Sequence, residues 1–287
     1  MNGQLKGALY VLAAMFAFSL MSTLVKSVSN EVSSVQSVFA RGLVGVIWVF
    51  FLARRRKVSL LGNRKGLLLL RALAGTIALV MVFYAFTQIP TANAMLLNQA
   101  VPLFMVPLAV IFLKERTSYL HVTIVLVALC GAALVLKPDM KEFRLPGFLA
   151  LFSAFFAAIA YLSVRKLNET EHPLTIVFWF VTISTVAVIP LMWGQPIRPS
   201  FWAGIQVLGV GILGTVGQVF LTIGYKYGEA GRLAVIGSTG AVFCALWDYL
   251  VWDHVPDAWT ALGGMLVISS CSVIQFMRHQ AAKQSTG

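Results

Sequence analysis

Long apolar runs separated by short polar clusters recur along the whole chain. A helix needs about 20 mainly apolar residues to cross the hydrocarbon core of a bilayer. Runs of that length fall at about 7–26, 35–53, 66–87, 91–113 and 118–136, then again at 147–165, 174–193, 201–225, 231–252 and 258–277. The breaks between them, such as Arg54-Arg55-Arg56-Lys57, Lys137-Pro138-Asp139 and Gly194-Gln195-Pro196, are too short to form a soluble domain. The pattern predicts an all-α polytopic membrane protein of ten transmembrane helices. Lys6 ahead of the first run resembles a signal peptide, but nine further spans follow and the run recurs later, so it is expected to be retained.

Composition agrees with the pattern. Apolar residues make up 59% and charged residues 11% of the 287, against about 25% charged in soluble domains. That excludes a cytosolic enzyme, a secreted disulfide scaffold and a disordered chain. The net charge of +12 would suit nucleic acid, but its placement says otherwise. With the N-terminus inside, fifteen Lys and Arg fall in cytoplasmic segments and five outside, which leaves Arg41 and Arg71 within spans. This is the positive-inside bias. It predicts an integral protein of the cytoplasmic (inner) membrane with both termini cytoplasmic and no nucleic-acid partner. Cys130, Cys244 and Cys271 lie scattered in apolar runs, so they read as small packing residues rather than disulfide or metal ligands.

The chain also repeats itself. An offset of 140 aligns Leu5/Leu145, Gly7/Gly147, Leu9/Leu149, Ala14/Ala154, Phe16/Phe156, Ala17/Ala157 and Lys26/Lys166. An offset of 139 aligns Phe39/Phe178, Gly75-Thr76/Gly214-Thr215 and Phe104/Phe243. Residues 1–140 and 141–287 would each hold five spans. Five is odd, so the second half must enter the bilayer from the opposite side: an inverted repeat, with a substrate site expected at its interface near the midplane.

Ten spans in two such halves resemble the drug/metabolite transporter superfamily, in its EamA-type branch. The residues that carry the resemblance are Phe83-Tyr84-Ala85, Ala92-Asn93-Ala94, Pro102 and Leu113-Lys114-Glu115-Arg116, then Gly224-Tyr225-Lys226-Tyr227-Gly228-Glu229-Ala230. The chain departs from the pattern at the ninth span. Asp253-His254-Val255-Pro256 stands where the family usually has Glu, and Gly237, Ser238 and Gly240 stand where an early Pro is usual. The resemblance implies transport of a metabolite in uptake, efflux or exchange.

Scaffold residues should recur in both halves, whereas substrate contacts need not. The charges inside spans are Arg41, Arg71 and Asp248, and their counterparts at offset 139 are the apolar Phe180, Val210 and Ala109. Each such charge costs at least about 2.5–3.5 kcal/mol at the bilayer centre unless paired or hydrated. Depth along the spans puts Arg41, Asp248, Asn98, Gln99 and Tyr84 in the outer half, and Arg71, Gln218 and Ser238 at the middle or further in. An arginine toward each side of a cavity would suit a carboxylate, which guanidinium binds bidentately. Two alternatives are snorkelling of the arginines to headgroups and an Arg41–Asp248 gate pair. Pro102 and Pro107 predict a kinked fourth span that exposes carbonyls. Trp247 and Tyr161 are candidates for stacking on substrate. Lys26 and Lys166 read as anchors, and His121 and His254 lack metal spacing. Six tryptophans, Trp48, Trp179, Trp193, Trp202, Trp247 and Trp252, fall mostly near span ends, as an interfacial belt would. Gly209-Val210-Gly211-Ile212-Leu213-Gly214 formally matches a dinucleotide fingerprint but lacks the strand context, so it reads as helix packing.

The expectation is therefore a secondary transporter that moves a small polar, carboxylate-bearing metabolite by alternating access. Arg41, Arg71, Tyr84, Asn98, Gln99, Gln218, Ser238, Trp247 and Asp248 are its expected substrate site. Neither cofactor nor metal is expected. The partners are a small-molecule metabolite and the lipid bilayer, with a homodimer left open. An intramembrane lipid-modifying enzyme and a structural membrane protein are the alternatives.

Overall fold

Polar residues at the ends of several apolar runs, such as Ser33, Arg56, His172 and Asp253, become helix caps. In a computed structural model of the chain, residues 3–101, 141–195, 199–227 and 236–284 are described, together with Leu233 and scattered positions between 103 and 135. Most of the fifth predicted span, Pro102, Pro107 and His121 lie outside the described residues. So do Lys137, Arg198 and the side chain of Cys271.

The helices are α1 (Gly3–Ser27), α2 (Ser34–Arg55), α3 (Lys65–Gln88), α4 (Thr91–Asn98), α5 (Lys141–Leu167), α6 (Pro173–Val188), α7 (Phe201–Tyr227), α8 (Thr239–Trp252) and α9 (Ala258–Gln284). No strand occurs among the described residues. Among the described residues, six segments are long and apolar enough to span a membrane: Leu5–Ser27, Ser34–Arg55, Lys65–Gln88, Leu145–Leu167, Pro173–Met192 and Phe201–Tyr227. Ser33 opens α2 with a capping box, its hydroxyl accepting from the Gln36 amide while the Gln36 side chain accepts from the Ser33 amide. His172 caps α6 ahead of Pro173. Asp253, in the left-handed conformation at φ 51°, closes α8. It stands where the family resemblance led one to expect Glu.

Large apolar side chains point outward at helical spacing, among them Leu43, Ile47 and Phe51 on α2 and Val242, Leu246 and Tyr249 on α8. Buried positions instead include Ser19, Ser22, Ser37, Arg41, Arg71 and Thr76. This distribution suits a hydrocarbon solvent. Trp193 and Trp202 are strongly exposed beside the turn between α6 and α7, as the belt reading expects. Trp179 and Trp247 instead donate internally, to the Leu60 carbonyl and the Ser19 hydroxyl. Cys244 is buried against Ser22, whereas Cys130 is exposed, not packed as expected.

Packing follows the sequence repeat. Among the described helices, the two most extensive interfaces are α1 with α7 and α3 with α5. The repeat offsets carry one of these pairs into the other, since α5 is the counterpart of α1 and α7 that of α3. Likewise α2–α7 matches α3–α6. The loops obey the same exchange. Glu31, between α1 and α2, accepts from the amide and hydroxyl of Ser200 at the start of α7. Glu171, 140 residues on, accepts from the amides of Asn63 and Arg64 at the start of α3. Each carboxylate satisfies free amides at a helix N-terminus and complements its dipole. Hydrogen bonding from Ser200 holds the Glu31 carboxyl below its usual pKa.

Candidate functional site

Among the described residues, three polar clusters lie inside the bundle. The first joins both span arginines. The Arg41 guanidinium lies 5.5 Å from the Phe180 ring centroid, and that of Arg71 lies 4.1 Å from the same ring. Phe83 stands 6.0 Å from Arg41. Tyr161 is close enough to interact electrostatically with both guanidiniums, and its ring tilts against Tyr225 at 6.0 Å. Arg41 and Arg71 are 4% and 2% exposed, so neither reaches headgroups, and the snorkelling alternative falls. The arginines do not mark opposite sides of a cavity but converge on one ring. The ring belongs to the repeat counterpart of Arg41.

Two glycines make this convergence sterically possible. A methyl group on Gly75 would collide with the Arg71 head and with Phe180, and one on Gly214 would collide with Arg41 and Met21. These glycines are themselves counterparts. Each is followed by a threonine that donates to the carbonyl four residues back, Thr76 to Ala72 and Thr215 to Gly211. The repeat thus supplies a symmetric pair of notches that hold two unsymmetric cations. At Gly214 the closest neighbour is a cation, where the glycine-rich run had suggested helix packing alone.

The arginines are poorly satisfied. Arg41 Nη2 donates to the Gly214 carbonyl at a long 3.4 Å. Arg41 Nε, Arg71 Nε and Arg71 Nη1 are buried without a hydrogen-bond partner, and no carboxylate forms an ion pair with either arginine among the described residues. Gln218 is buried one turn beyond Gly214 on α7, and Tyr84 stands half-buried next to Phe83.

The second cluster sits where two helices break. α4 ends at Asn98, and the ladder tightens to bonds from Ala100 to Leu97 and from Leu103 to Ala100. The predicted irregularity of the fourth span therefore begins ahead of Pro102. Ser238 forms the turn ahead of α8. Asn98 and Gln99 align with Gly237 and Ser238 at offset 139, so the breaks are counterparts, and they touch. Gln99 Nε2 donates to the Gly237 carbonyl at 2.7 Å. Asn98 Nδ2 donates to the Ser153 hydroxyl at 2.7 Å. Met15 and Met95 close over Gly240 beside Gln99. Trp247 stacks edge-on against Phe16 rather than standing free for substrate.

The third cluster contains Asp248, which is fully buried. Its carboxylate accepts from the Thr91 hydroxyl at 2.9 Å and the Ala92 amide at 2.8 Å. α4 begins after Pro90, which offers no side-chain cap, so an aspartate from α8 caps it across the bundle. Lys26 Nζ lies 3.8 Å from the same carboxylate and 4.6 Å from the Trp252 ring. The alternative Arg41–Asp248 pair is not formed. Sequence reasoning missed the roles of Lys26, Thr91 and Phe180. Only Phe180 carried a signal, as the counterpart of Arg41.

Comparison with known proteins agrees with this architecture. The model of the EamA-like transporter family matches twice, over residues 5–137 and 145–276. The chain is 35% identical to the pseudopaline exporter CntI of Pseudomonas aeruginosa, over 92% of this chain and 94% of that one. It is 25% identical to human solute carrier family 35 member G1, over 92% of this chain and 77% of that protein. One crystal structure superposes with a TM-score of 0.69 at 17% identity, covering 97% of this chain and 99% of the other, which supports the fold alone. Two copies of one family motif, carried on apolar helices with buried charges between them, have one reading: the chain is an integral membrane protein that belongs to the EamA-like transporter family.

Proposed function

We propose that this transporter exports a small carboxylate-bearing metabolite across the inner membrane by alternating access, with Arg41 and Arg71 holding the anion over Phe180. The observation that carries this reading is the pair of buried guanidiniums with unpartnered nitrogens. Two like charges in a low-dielectric bundle repel, and each loses its hydration. A carboxylate between them would supply the missing acceptors and neutralise the repulsion. Gln218 and Tyr84 complete the polar lining, and Tyr161 offers a hydroxyl and a ring face.

Ten spans in two inverted halves provide the mechanism. The exchange-related interfaces α1–α7 and α3–α5 can trade tight and loose packing, opening one side and then the other. The touching breaks at Gln99 and Ser238 are its flexible centre. Asp248 and Lys26 close the outer end. Export, rather than uptake, rests on the name of the Pseudomonas relative.

The test uses protein reconstituted into liposomes. Efflux of a panel of small carboxylates is compared with that of their uncharged amides. The reading expects transport of at least one carboxylate and not of its amide, and loss of that transport in Arg71→Ala. Selective movement of amides or cations would overturn it.

A further inference from the structure

A second basic feature lies away from the arginine pair, at the rim where α1 and α6 begin and α2 and α7 end. A cavity of about 390 Å³ opens on the flank between these helices. Its deep walls are apolar: Trp48, Leu52, Val219, Phe220 and Ile223. Its mouth is formed by Arg56, Lys226, His172 and Tyr227. Lys6 Nζ stands 4.5 Å over the Tyr227 ring, and Tyr10 stacks on that ring at 6.3 Å. Trp48 lies eight residues before Arg56, the C-cap of α2, so the groove runs ~12 Å down from the rim at ~1.5 Å per residue.

We infer that this groove holds an anionic phospholipid, with its phosphodiester between Arg56 and Lys226 and an acyl chain along Trp48, Val219 and Phe220. Charge complementarity supports the assignment. Neither Arg56 nor Lys226 has a carboxylate within 4.0 Å among the described residues. Glu171, on the adjoining loop, is committed to the amides of Asn63 and Arg64. A soluble anion would use the cationic mouth but not the apolar walls below it. A zwitterionic lipid would use the walls but bring its own cation to the mouth. An anionic lipid uses both, as basic pockets between transmembrane helices do elsewhere. The half-exposed Tyr227 and Trp48 leave the flank open to the bilayer.

The site is distinct from the substrate site, although its floor includes Thr215, next to the glycine that cradles Arg41. Lipid bound there ties α2 to α7 in the present arrangement.

The test is a thermal-shift titration of the full-length, detergent-purified protein. Phosphatidylglycerol is compared with phosphatidylethanolamine of the same chains and with glycerol phosphate. Phosphatidylglycerol at ten times its Kd is expected to raise the Tm by roughly 3–6 °C, and the other two by less than half of that. The double variant Arg56→Gln/Lys226→Gln loses the shift, while Arg54→Gln/Arg55→Gln, with the same net charge, keeps it. Equal shifts from both lipids, equal loss in both variants, or a full shift from glycerol phosphate would each overturn the assignment. A second readout is independent of the mouth variants' folding. Brominated phosphatidylglycerol should quench the fluorescence difference between wild type and Trp48→Phe more than brominated phosphatidylethanolamine does. No difference between the two lipids would also overturn it.

Discussion

Asp248 and the pair Arg41/Arg71 are buried to a similar degree in the same bundle, yet the protein treats them in opposite ways. Asp248 receives a hydroxyl, a helix-terminal amide and an ammonium. The arginines receive an aromatic face and one long hydrogen bond, with three nitrogens left over. A buried charge that the protein satisfies contributes to structure. Under the proposed function, one left unsatisfied is held for a ligand. Burial and rarity alone do not separate these cases, and the count of partners does.

The largest expected effect breaks the satisfied side. Asp248→Ala strips α4 of its cap and leaves Lys26 without its counter-ion. It should cost about 3–5 kcal/mol, the usual range for losing one member of a buried pair, read as a large fall in Tm of the purified protein. Asp248→Asn retains one acceptor and should lose less. A neutral outcome for Asp248→Ala would erase the contrast.

Next comes the unsatisfied side. Arg71→Ala removes two buried, unpartnered nitrogens, so the Tm without solute should hold or rise. Under the proposed function, efflux of a transported carboxylate should fall roughly 10–100-fold, the value of a charged hydrogen bond or two. A drop in Tm comparable to that of Asp248→Ala would make the arginines structural. Phe180→Leu keeps an apolar side chain of somewhat smaller volume and removes the π face, which is worth about 0.5–2 kcal/mol to a cation. A fall in efflux of roughly 3–30-fold is expected, with Lys26-dependent properties untouched.

The smallest effect concerns the rims. Burial, with Lys226 and Arg56 nearby, holds the His172 imidazole below its usual pKa, and its Nδ1 accepts the amide of Leu174. Because the folded pKa is the lower one, this contribution is full above the ordinary imidazole value of about 6.5 and fades as pH falls below it. Glu31, also depressed, fades only further down, below the ordinary carboxylate range. Tm measured from pH 7 to 5 should therefore decline, and His172→Asn, which still caps, should flatten that decline while Asp248→Asn does not.

Much of the fold was legible in the apolar pattern, because a bilayer imposes a length on every span. α1, α2, α3 and α7 begin and end within a few residues of the runs read from the sequence. The three odd charges were legible too, since apolar counterparts marked them as unshared. Their partners were not. Depth was reckoned from helix position, but an arginine side chain extends along the helix by more than a turn, so Arg41 and Arg71 meet although their backbones start from opposite ends. Asp248 binds a backbone amide, and no residue letter reports a free amide. The Glu31/Glu171 pair was readable at offset 140 but lies in loops, where the alignment of spans gave no reason to look.

The central claim is that the unpartnered arginine pair is the anion site. A thermal-shift screen of small carboxylates and their amides against wild type, Arg71→Ala and Asp248→Asn tests it most directly. The account predicts that a stabilising carboxylate loses its effect as the amide and in Arg71→Ala, but keeps it in Asp248→Asn. Stabilisation by neutral or cationic solutes that survives Arg71→Ala would contradict it.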